Sequence, residues 1–199
     1  MREIERMLRA ERSGAPREAV EVFVRRALEQ EPGAVAYASV DSPFGPLLVA
    51  ASRSGLVRLA YPREDDVLED LARRLTPRLL ESPERLDEVR RELDEYFEGR
   101  RREFALTIDW TLVRPGFTRK VLRATARVPF GSVTTYTDVA RRAGSPRAYR
   151  AAGNALGSNP IPIVVPCHRV LHSGGGLGGY TGGLERKERL LRLEGVLDG

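Results

Sequence analysis

Apolar positions recur at helical spacing in the first stretch of the chain. REAVEVFVRRALEQE (17–31) sets Val20, Phe23, Val24 and Leu28 on one face, and Pro32-Gly33 closes the run, which predicts an amphipathic helix. The pattern then changes to short β-rich runs: VAYASV (35–40), PLLVAA (46–51) and LVRLAY (56–61). Asp41-Ser42-Pro43-Phe44-Gly45 and Ser52-Arg53-Ser54-Gly55 join them as hairpin turns, so an antiparallel meander is expected. Helical spacing returns over 64–75 and 84–98, the second with Leu86, Val89, Leu93, Tyr96 and Phe97 on one stripe. FALTIDW (104–110) alternates and predicts a further strand. No constellation in this half has a catalytic look, and a structural role is expected of it.

A linker at Val113-Arg114-Pro115-Gly116 opens the second half, followed by a helix from Phe117 to about Arg127. Pro129-Phe130-Gly131 breaks the pattern. Thr134 or Thr135 can cap a helix reaching about Ala143; Gly144-Ser145-Pro146 turns the chain, and a second helix runs from Arg147 to about Leu156. Two short helices around a glycine-containing turn have the outline of a helix-turn-helix. The second carries Arg147 and Arg150 among Ala148, Ala151, Ala152 and Gly153. Those small residues suit close approach to a groove, and they equally suit tight core packing. The expected fold class is α+β or α/β: an N-terminal antiparallel sheet with helices, then a mostly helical domain. The divisions expected are a helical extension (1–34), a sheet-and-helix domain (35–112) and a helical domain (113–199).

Charge sharpens the contrast between the halves. Residues 111–199 hold 14 basic and 5 acidic side chains, and residues 1–110 hold 19 basic and 23 acidic. A basic half is the footprint of a polyanion-binding surface or of a plain solvated one. No apolar run approaches the ~20 residues of a membrane helix. MREIERMLRAERSG has no apolar signal-peptide core, and the cytoplasm is the default compartment. One cysteine rules out an intrachain disulfide and a four-cysteine zinc site. No metal and no cofactor are expected.

That cysteine, Cys167, stands beside His168 in SNPIPIVVPCHRV, after an apolar lead-in jointed by Pro160, Pro162 and Pro166. A lone cysteine can be an inert core residue or a nucleophile. In extended chain the two side chains would point to opposite faces, so a direct pair is awkward. If a helix starts at Pro166, backbone N–H groups and the positive end of the dipole would lower the thiol pKa.

Pro166-Cys167-His168-Arg169-Val170 closely resembles the active-site motif of the O6-alkylguanine-DNA alkyltransferases, the methylated-DNA–protein cysteine methyltransferases. VPFGSVTTYTDVARRAG and SNPIPIVVPCHRV are similar to the family's helix-turn-helix and its approach to the cysteine. GGLGGYTGGLERKERLLRLEG is similar to its substrate loop and last helix. The resemblance covers about 117–195 strongly and extends more weakly to 35–62, where SPFGPLLVAASRSGLVRLAY looks like the family's N-terminal sheet. It implies direct reversal of DNA damage: an alkyl group moves from O6-alkylguanine, with O4-alkylthymine as a second candidate, onto Cys167 after the nucleotide flips out. His168 and Glu194 would relay the thiol proton through a water, Asn159 would brace the turn, and Tyr136 would protonate the departing guanine. Arg150 would fill the space left in the duplex, with Arg147, Thr135 and Ser173 as further DNA contacts. Val170 (through its carbonyl), Tyr180, Thr181 and Leu156 would border the base pocket. Thr181 stands where family members commonly have serine, and its extra methyl bears on pocket width.

The chemistry suits the assignment. Alkyl transfer from an aryl-ether-like oxygen needs a soft nucleophile, and thiolate is the best a side chain offers. A leaving guanine needs a proton, which a tyrosine can give. The target is stacked in a duplex, so it must be extruded at a cost of a few kcal/mol. A thioether is stable, so each molecule would act once. The expected partner is double-stranded DNA, met by a monomer. Three rivals use the same residues: a sensor that binds alkylated DNA without repairing it, a helix-turn-helix regulator, and a cysteine hydrolase built on Cys167 and His168. The first two leave the cysteine without a task, and the third pairs adjacent groups in poor geometry. His172 receives no role, and Gly174-Gly175-Gly176 lacks the lysine and spacing of a phosphate-binding loop.

Overall fold

A computed structural model describes residues 33–61 and 64–198. The helix expected over 17–31 lies outside the described residues. Three strands, β1 (Val35–Val40), β2 (Leu47–Ser52) and β3 (Gly55–Ala60), form the expected antiparallel meander. Helix α1 (Glu64–Arg74) follows, and then a strand that periodicity did not announce, β4 (Leu79–Glu81). It pairs parallel to β1, giving a mixed sheet of order β3-β2-β1-β4.

Alternation along β1 and β2, with a register shift in β3 opposite Ala50 and Ala51, sends their side chains to two separate cores. Val35, Leu48, Ala50, Val57 and Ala60 meet Val67 and Leu71 of α1 on one face. Ala38, Val40, Leu47, Val49, Leu56 and Leu59 point to the other face. There they meet a 3-10 turn (Pro83–Leu86) and helix α2 (Asp87–Phe97), through the expected stripe of Leu86, Val89, Leu93 and Tyr96. Burying each aliphatic side chain of this kind stabilises the fold by about 1.5–3 kcal/mol.

FALTIDW does not form a strand. It meets β3 at a single parallel bridge, Leu56 with Ile108, held by Leu56 N–H to Thr107 O (2.8 Å) and Asp109 N–H to Leu56 O (2.9 Å). The approach depends on Gly55, at φ +128°, where a Cβ would stand 2.2 Å from the Thr107 carbonyl oxygen.

The second half packs on the α2 side of the sheet, in the same core. Helix α3 (Phe117–Thr125) contributes Val121 and Leu122, α4 (Tyr136–Arg142) Val139 and Ala140, and α5 (Tyr149–Gly157) Ala152, Ala155 and Leu156. Thr135 is the cap of α4: its hydroxyl oxygen accepts the Asp138 N–H at 3.1 Å and donates back to Asp138 Oδ2 at 2.7 Å. α4 and α5 with their glycine-containing turn are the expected helix-turn-helix, its second helix starting at Tyr149 rather than Arg147. Two-residue strands β5 (Thr134–Thr135) and β6 (Val170–Leu171) pair in parallel. Helix α6 (Leu184–Leu193) is the last element of the described residues. Among the described residues no helix is long and apolar enough to cross a membrane.

Candidate active site

The proline-jointed lead-in is pinned on both sides. Asn159 Oδ1 accepts the Ile161 N–H (3.1 Å), Asn159 Nδ2 donates to Val165 O (2.8 Å), and Leu59 of β3 donates its N–H to Pro160 O (2.9 Å). These bonds hold Ile163 at φ +73°, a left-handed conformation that a β-branched residue adopts only under constraint. The tight loop delivers Cys167 into a 3-10 turn, Cys167–Arg169, with Pro166 as its cap. No α-helix begins here, so the expected dipole is that of a single turn.

The thiol is buried, and burial pushes its pKa above the ordinary value, against the lowering expected from a helix start. Opposing groups soften that rise: Asn159 Nδ2, 3.2 Å from Sγ, then the positive charge of Lys187, then the backbone N–H groups of Cys167 and His168. The resting sulfur is therefore a thiol, and a base must remove its proton.

His168 turns away from the sulfur to a second cluster. Its Nε2 lies 2.9 Å from Glu194 Oε1, at the C-cap of α6. Arg169 grips the same carboxylate in bidentate fashion, Nε to Oε2 and Nη2 to Oε1, both at 2.8 Å. Tyr96 Oη adds a 2.7 Å hydrogen bond to Oε1. Hydrogen bonds and charge from His168 and Arg169 hold the Glu194 pKa down to about 2, against the cost of its burial. Burial holds the His168 pKa below its ordinary value, so the imidazole is neutral. An ionised Glu194 accepts, hence Nε2 donates and Nδ1 carries the lone pair. That Nδ1 is buried and has no hydrogen-bond partner among the described residues.

A cavity of about 630 Å³ opens over Cys167 and is lined also by Tyr136, Arg150, Leu156, Tyr180 and Thr181. Pairing of β5 with β6 sets Tyr136, the first residue of α4, beside the segment that follows the reactive turn. Burial and the nearby Cys167 raise the Tyr136 pKa, so its hydroxyl keeps its proton. Tyr180 Oη is 2.9 Å from Tyr61 Oη, and the Thr181 hydroxyl donates to Gly157 O at the end of α5 (3.3 Å). Val170 is not among the residues lining the cavity; its carbonyl accepts from Lys187 Nζ at 2.7 Å. Arg147, Arg150 and Ser173 are exposed, and Thr135 is half-buried by its capping role.

Several members of the site escaped the sequence reading. Lys187 is fully buried; its Nζ donates to the carbonyls of Val170, Leu177 and Gly179, and burial lowers its pKa to about 8. The one available signal was its rarity, two lysines against 31 arginines. His172 lines the cavity, its ring 5.0 Å from that of Tyr136. Tyr61 and Tyr96 bring the first half into the site, which corrects the purely structural role expected there. Among the described residues no cluster of histidine, cysteine or carboxylates could hold a metal.

Comparison with known proteins agrees with this geometry. Residues 116–196 match the family described as 6-O-methylguanine DNA methyltransferase, DNA binding domain, and residues 35–110 match its ribonuclease-like domain. A methylated-DNA–protein-cysteine methyltransferase of Methanosarcina barkeri is 38% identical, over 79% of this chain and 96% of its own. One from Mycolicibacterium paratuberculosis is 40% identical, over 80% and 92%. The crystal structure of Mycobacterium tuberculosis OGT in complex with DNA superposes with a TM-score of 0.70 at 36% identity, covering 80% of this chain and 92% of that one. The chain therefore belongs to the 6-O-methylguanine DNA methyltransferase family.

Proposed function

We infer that this protein repairs alkylated DNA by moving an alkyl group from the O6 of guanine onto Cys167. The observation that carries the reading is the position of the sulfur. It faces a cavity roomy enough for a purine and edged by the second helix of a helix-turn-helix, with a neutral imidazole and an ionised carboxylate behind it.

The arginine-bearing helix α5 meets duplex DNA, and the damaged nucleotide swings into the cavity, at a cost offset by Arg150 entering the stack and by phosphate contacts. The thiol proton passes through a water to Nδ1 of His168, and Glu194 stabilises the imidazolium that forms. The sulfur lone pair then attacks the alkyl carbon while the carbon–O6 bond breaks. Its electrons return to the purine ring, which takes a proton from Tyr136. Asn159 and the backbone N–H groups of the turn stabilise the thiolate on the way. The product thioether has no group in the chain to remove it, so one protein repairs one lesion. The division into a sheet-and-helix domain (35–112) and a reactive domain (113–199), action as a monomer and a cytoplasmic setting belong to the same reading.

A duplex carrying a radiolabelled O6-methylguanine tests it. Label moves to the wild-type protein and not to Cys167→Ser. Labelled protein in the serine variant, or none in either, contradicts the assignment. The sensor reading predicts binding without transfer, and the same assay separates the two.

A further inference from the structure

Helix α5 presents a stripe to the cavity at intervals of four residues: Tyr149, Gly153 and Gly157. Gly153 leaves room for the Tyr136 ring, which would stand 3.7 Å from a Cβ there, and Gly157 has nothing within 4 Å. Tyr149 rises at the end of the stripe as an aromatic edge, 46% exposed, where Ala152 and Ala155 of the same helix are buried in the core. Few large apolar side chains among the described residues are left so open: Val133, Leu184 and this one. Its ring is also engaged from above. The guanidinium of Arg150 sits 5.8 Å from the ring centroid, in the range of a cation–π contact.

A cavity-edge aromatic has little to gain from water, and next to an arginine poised to enter a duplex it has a partner of matching chemistry. Every base offers a π-face, and an exposed ring on a basic helix stacks on one whatever the sequence. We propose that Tyr149 is a DNA-stacking residue, resting on the duplex base that flanks the extruded nucleotide and holding Arg150 in the gap. The proposal rests on the DNA-repair reading above. It adds a second wedge, the tyrosine ring covering the neighbouring base face that extrusion bares while the arginine occupies the vacancy. Residues of this kind offset unstacking and prolong the flipped state.

Alkyl-transfer rates of wild type, Tyr149→Ala and Tyr149→Phe test it, on a duplex with 2-aminopurine beside O6-methylguanine and on free O6-benzylguanine base. Loss of one base–aromatic stack lowers the duplex rate of the alanine variant about tenfold more than its free-base rate. The phenylalanine variant stays within about twofold of wild type on the duplex, because the π-face is kept. The 2-aminopurine signal of the complex changes in the alanine variant and not in the phenylalanine one. Equal losses on both substrates place the ring on the flipped base instead and overturn the proposal, as does an alanine variant as fast as wild type on the duplex. Wild type that transfers nothing from either substrate overturns the repair reading itself, which is a different result from any of these.

Discussion

Tyr96 Oη and Glu194 Oε1, 98 residues apart, share a buried 2.7 Å hydrogen bond that joins α2 of the first half to the end of α6. His168 and Arg169 keep this carboxylate ionised at a helix C-terminus, where the dipole disfavours it, and the tyrosine bond helps to fix its position. Tyr96, His168 and Arg169 all converge on it. Tyr96→Phe keeps the packing and removes this one bond. A hydrogen bond to a charged group is worth about 1.5–3 kcal/mol, so the urea midpoint at neutral pH falls accordingly. An unchanged midpoint would mean that His168 and Arg169 alone hold the carboxylate.

Acid should unfold the protein through the same carboxylate. The folded pKa of Glu194, about 2, lies below its ordinary 4.5. Its contribution, on the order of 3 kcal/mol, is present above pH 4.5 and disappears as pH falls through the folded value. His168 acts in the same direction: held neutral when folded, it takes up a proton more readily when unfolded, so falling pH below its ordinary value favours the unfolded chain. Denaturant titrations of wild type and Glu194→Gln therefore converge as the pH is lowered towards about 2. A gap that stays constant with pH contradicts this account.

Asn159 both shapes the lead-in and donates to Sγ. Removing its amide in Asn159→Ala takes away the foremost group opposing the rise in thiol pKa, so the apparent pKa of Cys167, followed by thiolate ultraviolet absorbance, moves still higher. Stability falls by about 1–3 kcal/mol, because the buried Ile161 N–H loses its partner and Val165 O keeps only the Cys167 N–H. A downward shift of the thiol pKa would show that the amide does not stabilise the thiolate.

Gly55 and Gly174 differ in what a methyl group would meet. At Gly55 the backbone is left-handed and the Thr107 carbonyl stands in the way, whereas nothing lies within 4 Å at Gly174. Gly55→Ala should cost at least about 2 kcal/mol and loosen the bridge between β3 and the 104–110 segment. Gly174→Ala should leave the thermal midpoint within a degree or so. Comparable effects at the two positions would refute the close approach.

Much of this was legible because its signals are local. Thr135 as cap, the Gly144 turn and the proline-jointed approach to Cys167 announce themselves within a few residues. So does the meander, whose alternation along β1 and β2 assigns their side chains to two cores, although the register shift opposite Ala50 and Ala51 breaks that pattern in β3. Other features depend on distant partners. β4 is three residues long and exists because β1 has a free edge. FALTIDW alternates like a strand, yet it reaches the sheet only where Gly55 lets one bridge form. Cys167 read alone suggested an activated thiol at a helix start; the short turn and the depth of burial reverse that sign. Tyr61 and Lys187 lie inside stretches that resemble the family but receive no role from the resemblance, and Tyr96 lies outside them. Each matters through one long-range contact, to Tyr180, Glu194 and the carbonyls around Val170.

Intact-protein mass spectrometry after incubation with excess duplex containing O6-methylguanine bears most directly on the central claim. One methyl group is expected per protein molecule, mapped by peptide fragmentation to Cys167, with no further repair once every molecule is modified. An unmodified cysteine in the presence of repaired DNA, or repair beyond one lesion per protein, would contradict it.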